Sequence, residues 1–398
     1  MDAQQLISME EKYGARNYHP LDVVIEKGKG VWVWDVEGKK YMDCLAAYSA
    51  VNQGHCHPRL IEAMQKQAEK LTLTSRAFRN NLWPLFAKEL CELLDYEMVL
   101  PMNSGAEAVE TAIKAARKWG YKVKGVEQNQ AEIIVCNGNF HGRTTTIVSF
   151  ADDPSSYEHY GPYTPGFKII EYGDAEALEK AIGKNTVAFL IEPIQGEAGV
   201  VVPPAGFLKK AAEICHQNRV LLICDEIQSG LGRTGKMLAS EHEGVKPDMV
   251  TIGKALSGGM YPVSATLAGS DILGVFEPGS HGSTYGGNPM ACAVAREAIK
   301  ILVEENLLDN AATLGEYAFK ELRAMKSPHV EQVRGKGLWI GIVLNENAGG
   351  ARKFCKALQH QGILAKDTHE NTIRLAPPLV INKEELDWAL ERLENVLG

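Results

Sequence analysis

The sequence lacks several features that mark whole classes of protein. Among its 398 residues, no apolar run approaches the roughly 18 residues that a membrane-spanning helix needs. Basic residues are not in excess, because 42 Lys and Arg stand against 50 Asp and Glu, for a net charge of −8. We therefore predict neither membrane insertion nor nucleic-acid binding, and we expect small molecules as partners.

Targeting and paired-cysteine signals are also missing. The first twenty residues have no apolar signal-peptide core and no acid-poor, Arg-rich composition, so we expect a cytoplasmic protein. None of the eight cysteines forms a Cys-x-x-Cys pair, and we expect reduced thiols. In "GHCHP", His55 and His57 lie two residues apart and no second ligand cluster accompanies them, so no metal site is predicted.

Apolar strands alternate with helices through the middle of the chain. The predicted helices 105–119, 175–182 and 206–217 lead to the predicted strands 132–137, 187–192 and 219–226. Two further strands follow, in "MVTIG" and "ATLAGS". Nearly continuous apolar strands separated by helices are typical of an α/β fold with a mainly parallel sheet buried on both faces.

The two ends of the chain differ from this middle part. The segment "GVWVWDVEGKKYMD", residues 30–43, alternates as a hairpin does, and a helix over 290–325 is followed by short apolar strands. We predict a large domain over 51–288 and a smaller α+β domain over 289–398. Residues 1–50, with the hairpin, are expected to pack with the smaller domain.

Lys254 stands in an unusual place, in "MVTIGKALSGG", directly after a buried strand and Gly253. Desolvating an ammonium group is unfavourable, so this lysine either reaches the surface or serves chemistry. For one lysine the surface interpretation is favoured. The other residues expected at the same edge of the sheet decide between the two.

Two further stretches place polar groups where parallel strands end. In "PMNSGAEAVETA", Gly105 and Ala106 open a helix with free backbone N–H groups, which can hold an anion, although Ser104 also fits an ordinary cap. In "VLLICDEIQSGLGRTG", Asp225 follows a buried strand, where a carboxylate needs a cation, and Gln228 comes three residues later.

Two Gly-rich loops complete the set. In "CNGNFHGRTTT", Phe140 can stack on a flat ligand and Arg143 can hold a carboxylate, although Phe140 also fits a loop anchor. In "HGSTYGGNP", Thr284 precedes two glycines that let a phosphate approach the backbone. Together the stretches predict a flat, phosphorylated ligand with a basic ring nitrogen that reacts with an amine. Pyridoxal 5′-phosphate fits each requirement.

These motifs are similar to those of the class III (ω-) aminotransferases of fold type I. "DEIQ" with "GKALSGG" is specific for that class, and "NYHPL", "YSAVNQGHCHP" and "QGEAG" are closest to its ornithine-specific members. The similarity extends over nearly the whole chain. It implies a homodimer with shared active sites and transfer of the δ-amino group of L-ornithine to a 2-oxo acid, with 2-oxoglutarate the expected acceptor.

The resemblance also implies roles for individual residues. Lys254 would form the Schiff base and then act as general base, and Asp225 would pair with the pyridine nitrogen. Cofactor contacts would come from Gly105, Ala106, Phe140, Ile227, Gln228 and, from the second subunit, Thr284. Substrate contacts would come from Tyr18, Tyr48, Arg143, Glu197 and Arg374.

Some assignments stay open at this level. Some relatives have Trp where this chain has His141, whose role is unassigned, and Glu192 is expected to support the site rather than react. Acetylornithine and 4-aminobutyrate aminotransferases would share Lys254, Asp225 and the phosphate site. A catalytically silent pyridoxal-phosphate-binding protein is disfavoured because it would not need both residues.

Overall fold

A seven-stranded sheet lies at the centre of the structure, a computed structural model that describes residues 1–398. The strands are β1 (Ile25–Lys29), β2 (Trp32–Asp35), β3 (Lys40–Asp43), β4 (Met98–Met102), β5 (Glu132–Cys136), β6 (Phe167–Ile170), β7 (Thr186–Ile191), β8 (Leu221–Asp225), β9 (Met249–Ile252), β10 (Ser264–Ala268), β11 (Val330–Lys336), β12 (Trp339–Leu344), β13 (Ile363–Leu364), β14 (Lys366–Thr368) and β15 (Thr372–Leu375).

Helices surround the strands. They are α1 (Ala3–Tyr13), α2 (Ala46–Ser49), α3 (Pro58–Ala68), α4 (Trp83–Leu94), α5 (Gly105–Trp119), α6 (Pro154–Tyr157), α7 (Ala175–Ala181), α8 (Phe207–Gln217), α9 (Ser270–Leu273), α10 (Pro289–Glu304), α11 (Leu307–Ala324), α12 (Arg352–His360) and α13 (Lys383–Leu397). A π-helical turn, Gly120–Lys124, continues α5. None of the helices is both long and apolar enough to cross a bilayer.

The central sheet has the strand order β4-β10-β9-β8-β7-β5-β6. Only β10 runs antiparallel to its neighbours, so the prediction of a mainly parallel sheet is confirmed. Alternate residues of β5 face opposite layers: Ile133 and Val135 pack in the apolar cluster that contains α5, and Ile134 and Cys136 pack in the cluster that contains α8. Burial on both faces explains why these strands are apolar throughout.

The two chain ends meet in a second, four-stranded sheet. The predicted hairpin is confirmed, since β2 pairs antiparallel with β3. The strand β13, more than 300 residues later, pairs in parallel with β3 and brings the C-terminal region to the hairpin. A third sheet, with the order β11-β12-β15-β14, is antiparallel and carries the C-terminal part of the site.

Two details differ from the sequence-based expectations. The helix predicted over 290–325 is two helices, α10 and α11, because Asn306 adopts a left-handed conformation with φ 55° between them. The edge strand β4 was not predicted.

The largest apolar cluster joins Met42 near the N-terminus, Leu256 after β9 and Ile373 in β15. The proposed domain bounds therefore stay a prediction.

Candidate active site

The positions after β4, β5, β8 and β9 share one edge of the central sheet, and a cavity of about 180 Å³ opens there. Its walls are formed by Gly105, Ala106, Phe140, His141, Gly142, Glu192, Ile194, Asp225, Ile227, Gln228 and Lys254. Seven of the eight predicted cofactor-binding residues are in this set, and Thr284 is not. The ends of parallel strands in α/β sheets are the usual place for a ligand.

Lys254 begins a short 3₁₀ helix, Lys254–Ser257, immediately after β9. Its φ of 45° lies in the left-handed region, which residues other than glycine rarely adopt. The surrounding structure must therefore hold the Lys254 backbone in this conformation. Burial lowers the pKa of Lys254 from its ordinary 10.5 to about 8, although the carboxylates of Glu197 and Asp225 oppose the shift. The amine is therefore unprotonated in a larger fraction of molecules near neutral pH than an ordinary lysine.

Asp225, at the end of β8, is fixed by three contacts. Its Oδ2 lies 2.7 Å from His141 Nδ1, and its Oδ1 accepts hydrogen bonds from Ile227 N and Thr251 Oγ1, both at 3.1 Å. Burial alone would lower the pKa of His141, but the hydrogen bond and the charge of Asp225 raise it above its ordinary value. The structure thus shows what the sequence left open: His141 pairs with Asp225.

The N-terminus of α5 forms the anion cradle. Ser104 Oγ accepts from Glu107 N at 3.2 Å, and the carboxylate of Glu107 accepts from Ser104 N at 2.7 Å. This capping box leaves the N–H groups of Gly105 and Ala106 without an acceptor in the chain. A Cβ on Gly105 would lie 3.0 Å from Ile227 Cδ1, so a larger residue would crowd the Ile227 side chain, which lines the cavity.

Glu192 supports two loops of the site. Its two oxygens accept hydrogen bonds from Phe140 N at 2.8 Å and Gly196 N at 3.2 Å. Burial raises the pKa of Glu192 to about 7, and the neighbouring Asp225 contributes in the same direction. These contacts fit the supporting role expected from the sequence.

Arg374 on β15, in the third sheet, is only 1% exposed and does not line this cavity, but it lies within electrostatic range of Lys254. Its Nη1 donates to Glu197 Oε1 at 2.9 Å and to the carbonyl of Gly196 at 3.2 Å. Its Nε and Nη2 are buried and have no partner. Burial would raise the pKa of Glu197, but Arg374 outweighs that effect and lowers it. Arg374 and Glu197 therefore form an ion pair in which two N–H donor groups of Arg374 have no acceptor.

Tyr48 lies against this pair on a strained turn. All four residues of α2, Ala46 to Ser49, have positive φ, so the segment is a left-handed turn. Asp43 Oδ1 holds it by accepting from Leu45 N and Ala46 N, each at 2.9 Å. The guanidinium of Arg374 lies 4.9 Å from the centroid of the Tyr48 ring. Strain of this kind is typical of functional sites.

The remaining predicted residues, Tyr18, Arg143 and Thr284, are exposed and do not line the cavity. Burial and the charge of Glu197 raise the pKa of Tyr48. Arg143 and Tyr18 make smaller contributions to this pKa, so both lie within electrostatic range of Tyr48. Tyr18 is 68% exposed. Thr284 is exposed outside the cavity, although the preceding Ser283 accepts a hydrogen bond from Asn103 at 2.9 Å.

The cavity fits pyridoxal 5′-phosphate by the groups that it leaves free. The Gly105 and Ala106 N–H groups suit a phosphate, and Gln228 Oε1 is buried without a partner. The carboxylate of Asp225 suits a protonated ring nitrogen, and the amine of Lys254 suits an aldehyde.

Comparisons with known proteins agree with this chemistry. Residues 13–397 match the family Aminotransferase class-III. The ornithine aminotransferase of Brevibacillus brevis is 57% identical over 392 residues, which cover 98% of each chain.

Solved structures are similar over the full length. The ornithine aminotransferase of Toxoplasma gondii, crystallized with oxidized glutathione, has partial occupancy of PLP at its active site; it is 45% identical, with a TM-score of 0.98, covering 100% of this chain and 94% of that one. The acetylornithine aminotransferase of Elizabethkingia anophelis is 50% identical, with a TM-score of 0.91, covering 100% of this chain and 99% of that one.

Proposed function

The chain belongs to the class III aminotransferases, and from that premise we propose that it transfers the δ-amino group of L-ornithine to 2-oxoglutarate. The products are glutamate 5-semialdehyde and glutamate, formed in two half-reactions that use the same site in turn. The observation that carries this proposal is the buried ion pair of Arg374 with Glu197.

Pyridoxal phosphate, when bound, supplies an aldehyde for the amine and a ring that withdraws electrons from the carbon beside it. Gly105 and Ala106 would bind its phosphate, and Phe140 and Ile227 would lie against its ring. Asp225 would keep the ring nitrogen protonated, with His141 and Thr251 holding that carboxylate in place. Gln228 would reach the ring hydroxyl.

Lys254 would carry the cofactor covalently and, once released, move a proton at the substrate carbon that bears the amine. Its lowered pKa of about 8 favours both tasks, because both need an unprotonated amine. The buried carboxylates nearby, Asp225 and Glu197, limit how far the pKa falls.

The ion pair lets one pocket accept two amino donors in opposite orientations. Glutamate must offer its α-amine, which places its α-carboxylate near the reacting centre, where Arg374 can bind it with two N–H groups. Ornithine must offer its δ-amine, so its α-carboxylate has to point away. Glu197 then neutralises Arg374, which would otherwise attract the wrong end of ornithine. Tyr18 and Arg143 would hold the distal carboxylate, and Tyr48 would narrow the pocket.

A homodimer with shared active sites is part of the proposal. Thr284 would bind the phosphate held by the partner subunit, since it lies exposed outside its own chain's cavity. A crystal structure of the holoenzyme that places Thr284 away from every cofactor phosphate would contradict this assignment.

Acetylornithine is the main rival substrate, because the similar Elizabethkingia anophelis protein is an acetylornithine aminotransferase. The test is one coupled assay with L-ornithine, N-acetylornithine or 4-aminobutyrate as donor and 2-oxoglutarate as acceptor. We expect the highest kcat/KM with L-ornithine. A higher value with N-acetylornithine would overturn the assignment and leave the reaction class intact.

A further inference from the structure

Glu197 lies near two cations, Arg374 and Lys366. Its Oε1 accepts from Arg374 Nη1 at 2.9 Å, while its Oε2 lies 4.0 Å from Lys366 Nζ. Lys366 is partly buried, with 36% of its side chain exposed. The carboxylate is thus held at one oxygen and approached at the other.

The position of Lys366 follows from the third sheet. Lys366 on β14 is the register partner of Arg374 on β15, so their side chains project from the same face of the sheet. Both cations lie against the ring of Tyr48, Lys366 at 5.4 Å and Arg374 at 4.9 Å from its centroid. The strand pairing therefore places two positive charges beside one carboxylate.

The second cation matters when a substrate carboxylate takes over Arg374. Glu197 then loses its principal partner, although only 24% of its side chain is exposed. A largely buried carboxylate without a cation is unfavourable and opposes the binding that displaced it. Glutamate and 2-oxoglutarate impose this loss, whereas ornithine leaves the original pair intact.

We propose that Lys366 is a specificity-determining residue that pairs with Glu197 when the carboxylate of glutamate or 2-oxoglutarate occupies Arg374. This inference rests on the proposed function. A rotation of the Glu197 carboxylate and a small adjustment of the flexible lysine stem bring the 4.0 Å separation to hydrogen-bond distance. Lys366 thereby lowers the free-energy cost of separating Glu197 from Arg374. It favours the half-reaction with the dicarboxylates glutamate and 2-oxoglutarate.

The test is Lys366→Met, which keeps much of the stem against Tyr48 and removes the charge. Stopped-flow absorbance of the bound cofactor measures the half-reaction with glutamate and with ornithine separately. We expect kcat/KM for glutamate to fall about tenfold, equivalent to about 1.4 kcal/mol, and that for ornithine to change less than about twofold. Lys366→Gln makes the same test if the methionine variant folds poorly.

Binding of glutarate, an unreactive dicarboxylate, gives a readout that does not depend on turnover. Isothermal titration of the holoenzyme should show its Kd raised about tenfold in Lys366→Met. Lys366→Arg, which retains a cation, should restore both values. The matched control is Lys353→Met on α12, whose ammonium lies over Phe354 and not over Tyr48, and it should leave both values unchanged.

Two results would overturn the role of Lys366. One is an equal loss in both half-reactions, which would indicate that the lysine only packs against Tyr48. The other is an unchanged Kd for glutarate. If the unmodified enzyme gave no half-reaction with ornithine, the proposed function would fail instead, and the glutarate titration would still decide the role of Lys366.

Discussion

The proposed cofactor side of the site, which lines the cavity, and the proposed substrate side, around Arg374 and Glu197, are built in different ways. Asp225 is the last residue of β8, and Gly105, Phe140 and Lys254 each lie within a few residues of the end of another strand of the same sheet. The substrate side combines the left-handed turn at Tyr48, the loop after β7 and a strand of another sheet. One sheet edge can fix a cofactor firmly, while a wall made from separate segments can exchange partners as substrates alternate.

If this contrast is correct, changes on the cofactor side should reduce both half-reactions. Lys254→Ala should slow each by about three orders of magnitude or more, because the covalent and proton-transfer steps both need its amine. Single-turnover absorbance with each donor measures the loss, and cofactor binding should persist. The control is Lys246→Ala, which removes an exposed lysine that pairs with Asp95. Near-normal turnover of Lys254→Ala would end the assignment.

Asp225→Asn should come next in size. The amide keeps the shape but loses the charge that favours a protonated ring nitrogen, so we expect both half-reactions to slow by roughly 10²-fold, within the range of one preorganised electrostatic contact. The Kd for the cofactor, measured by equilibrium dialysis, should rise much less. Unchanged rates would show that this carboxylate only anchors His141.

A change on the substrate side should instead separate the two half-reactions. Glu197→Ala exposes Arg374, so the preference for the ornithine δ-amine should weaken and the glutamate half-reaction should speed up. Each effect should be about 1–3 kcal/mol, the value of a charge-assisted hydrogen bond. Stopped-flow absorbance with each donor alone measures both. Equal slowing with both donors would mean that Glu197 only fixes its loop.

The last prediction concerns stability instead of rate and sharpens the account of the proposed cofactor side. Because burial lowers the pKa of Lys254 to about 8, the folded, cofactor-free protein carries an unfavourable buried charge below pH 8. Between about 8 and 10.5 the unfolded chain binds more protons than the folded one, so the free energy of unfolding rises with pH.

Lys254→Met removes this charge. The pKa shift from 10.5 to about 8 corresponds to about 3 kcal/mol at about 1.4 kcal/mol per pKa unit, so we expect the cofactor-free variant to be more stable than the parent by about that amount at pH 7 and by less at pH 10.5. Urea unfolding at the two pH values measures it, with Lys246→Met as the control. A difference that does not shrink with pH would contradict the pKa assignment.

The sequence by itself determined the α/β class, the parallel strands and most of the residues that line the cavity. Those features are local: an apolar strand, a glycine or small residue, and then one polar group such as Lys254 or Asp225. These polar groups lie close together because the carboxyl ends of parallel strands share one edge of the sheet. The resemblance of the motifs added Glu197 and Arg374, but no local pattern placed those two side chains 2.9 Å apart.

Only the tertiary structure decided the contacts between distant segments. The pairing of His141 with Asp225 joins residues 84 positions apart, and nothing in "FHGR" specifies it. The β14–β15 register places Lys366 beside Glu197. The left-handed conformation of Asn306 divides the helix that was predicted as continuous over 290–325. The physical reason is that side-chain pairing depends on strand register and loop path, which are fixed by burial of the whole core.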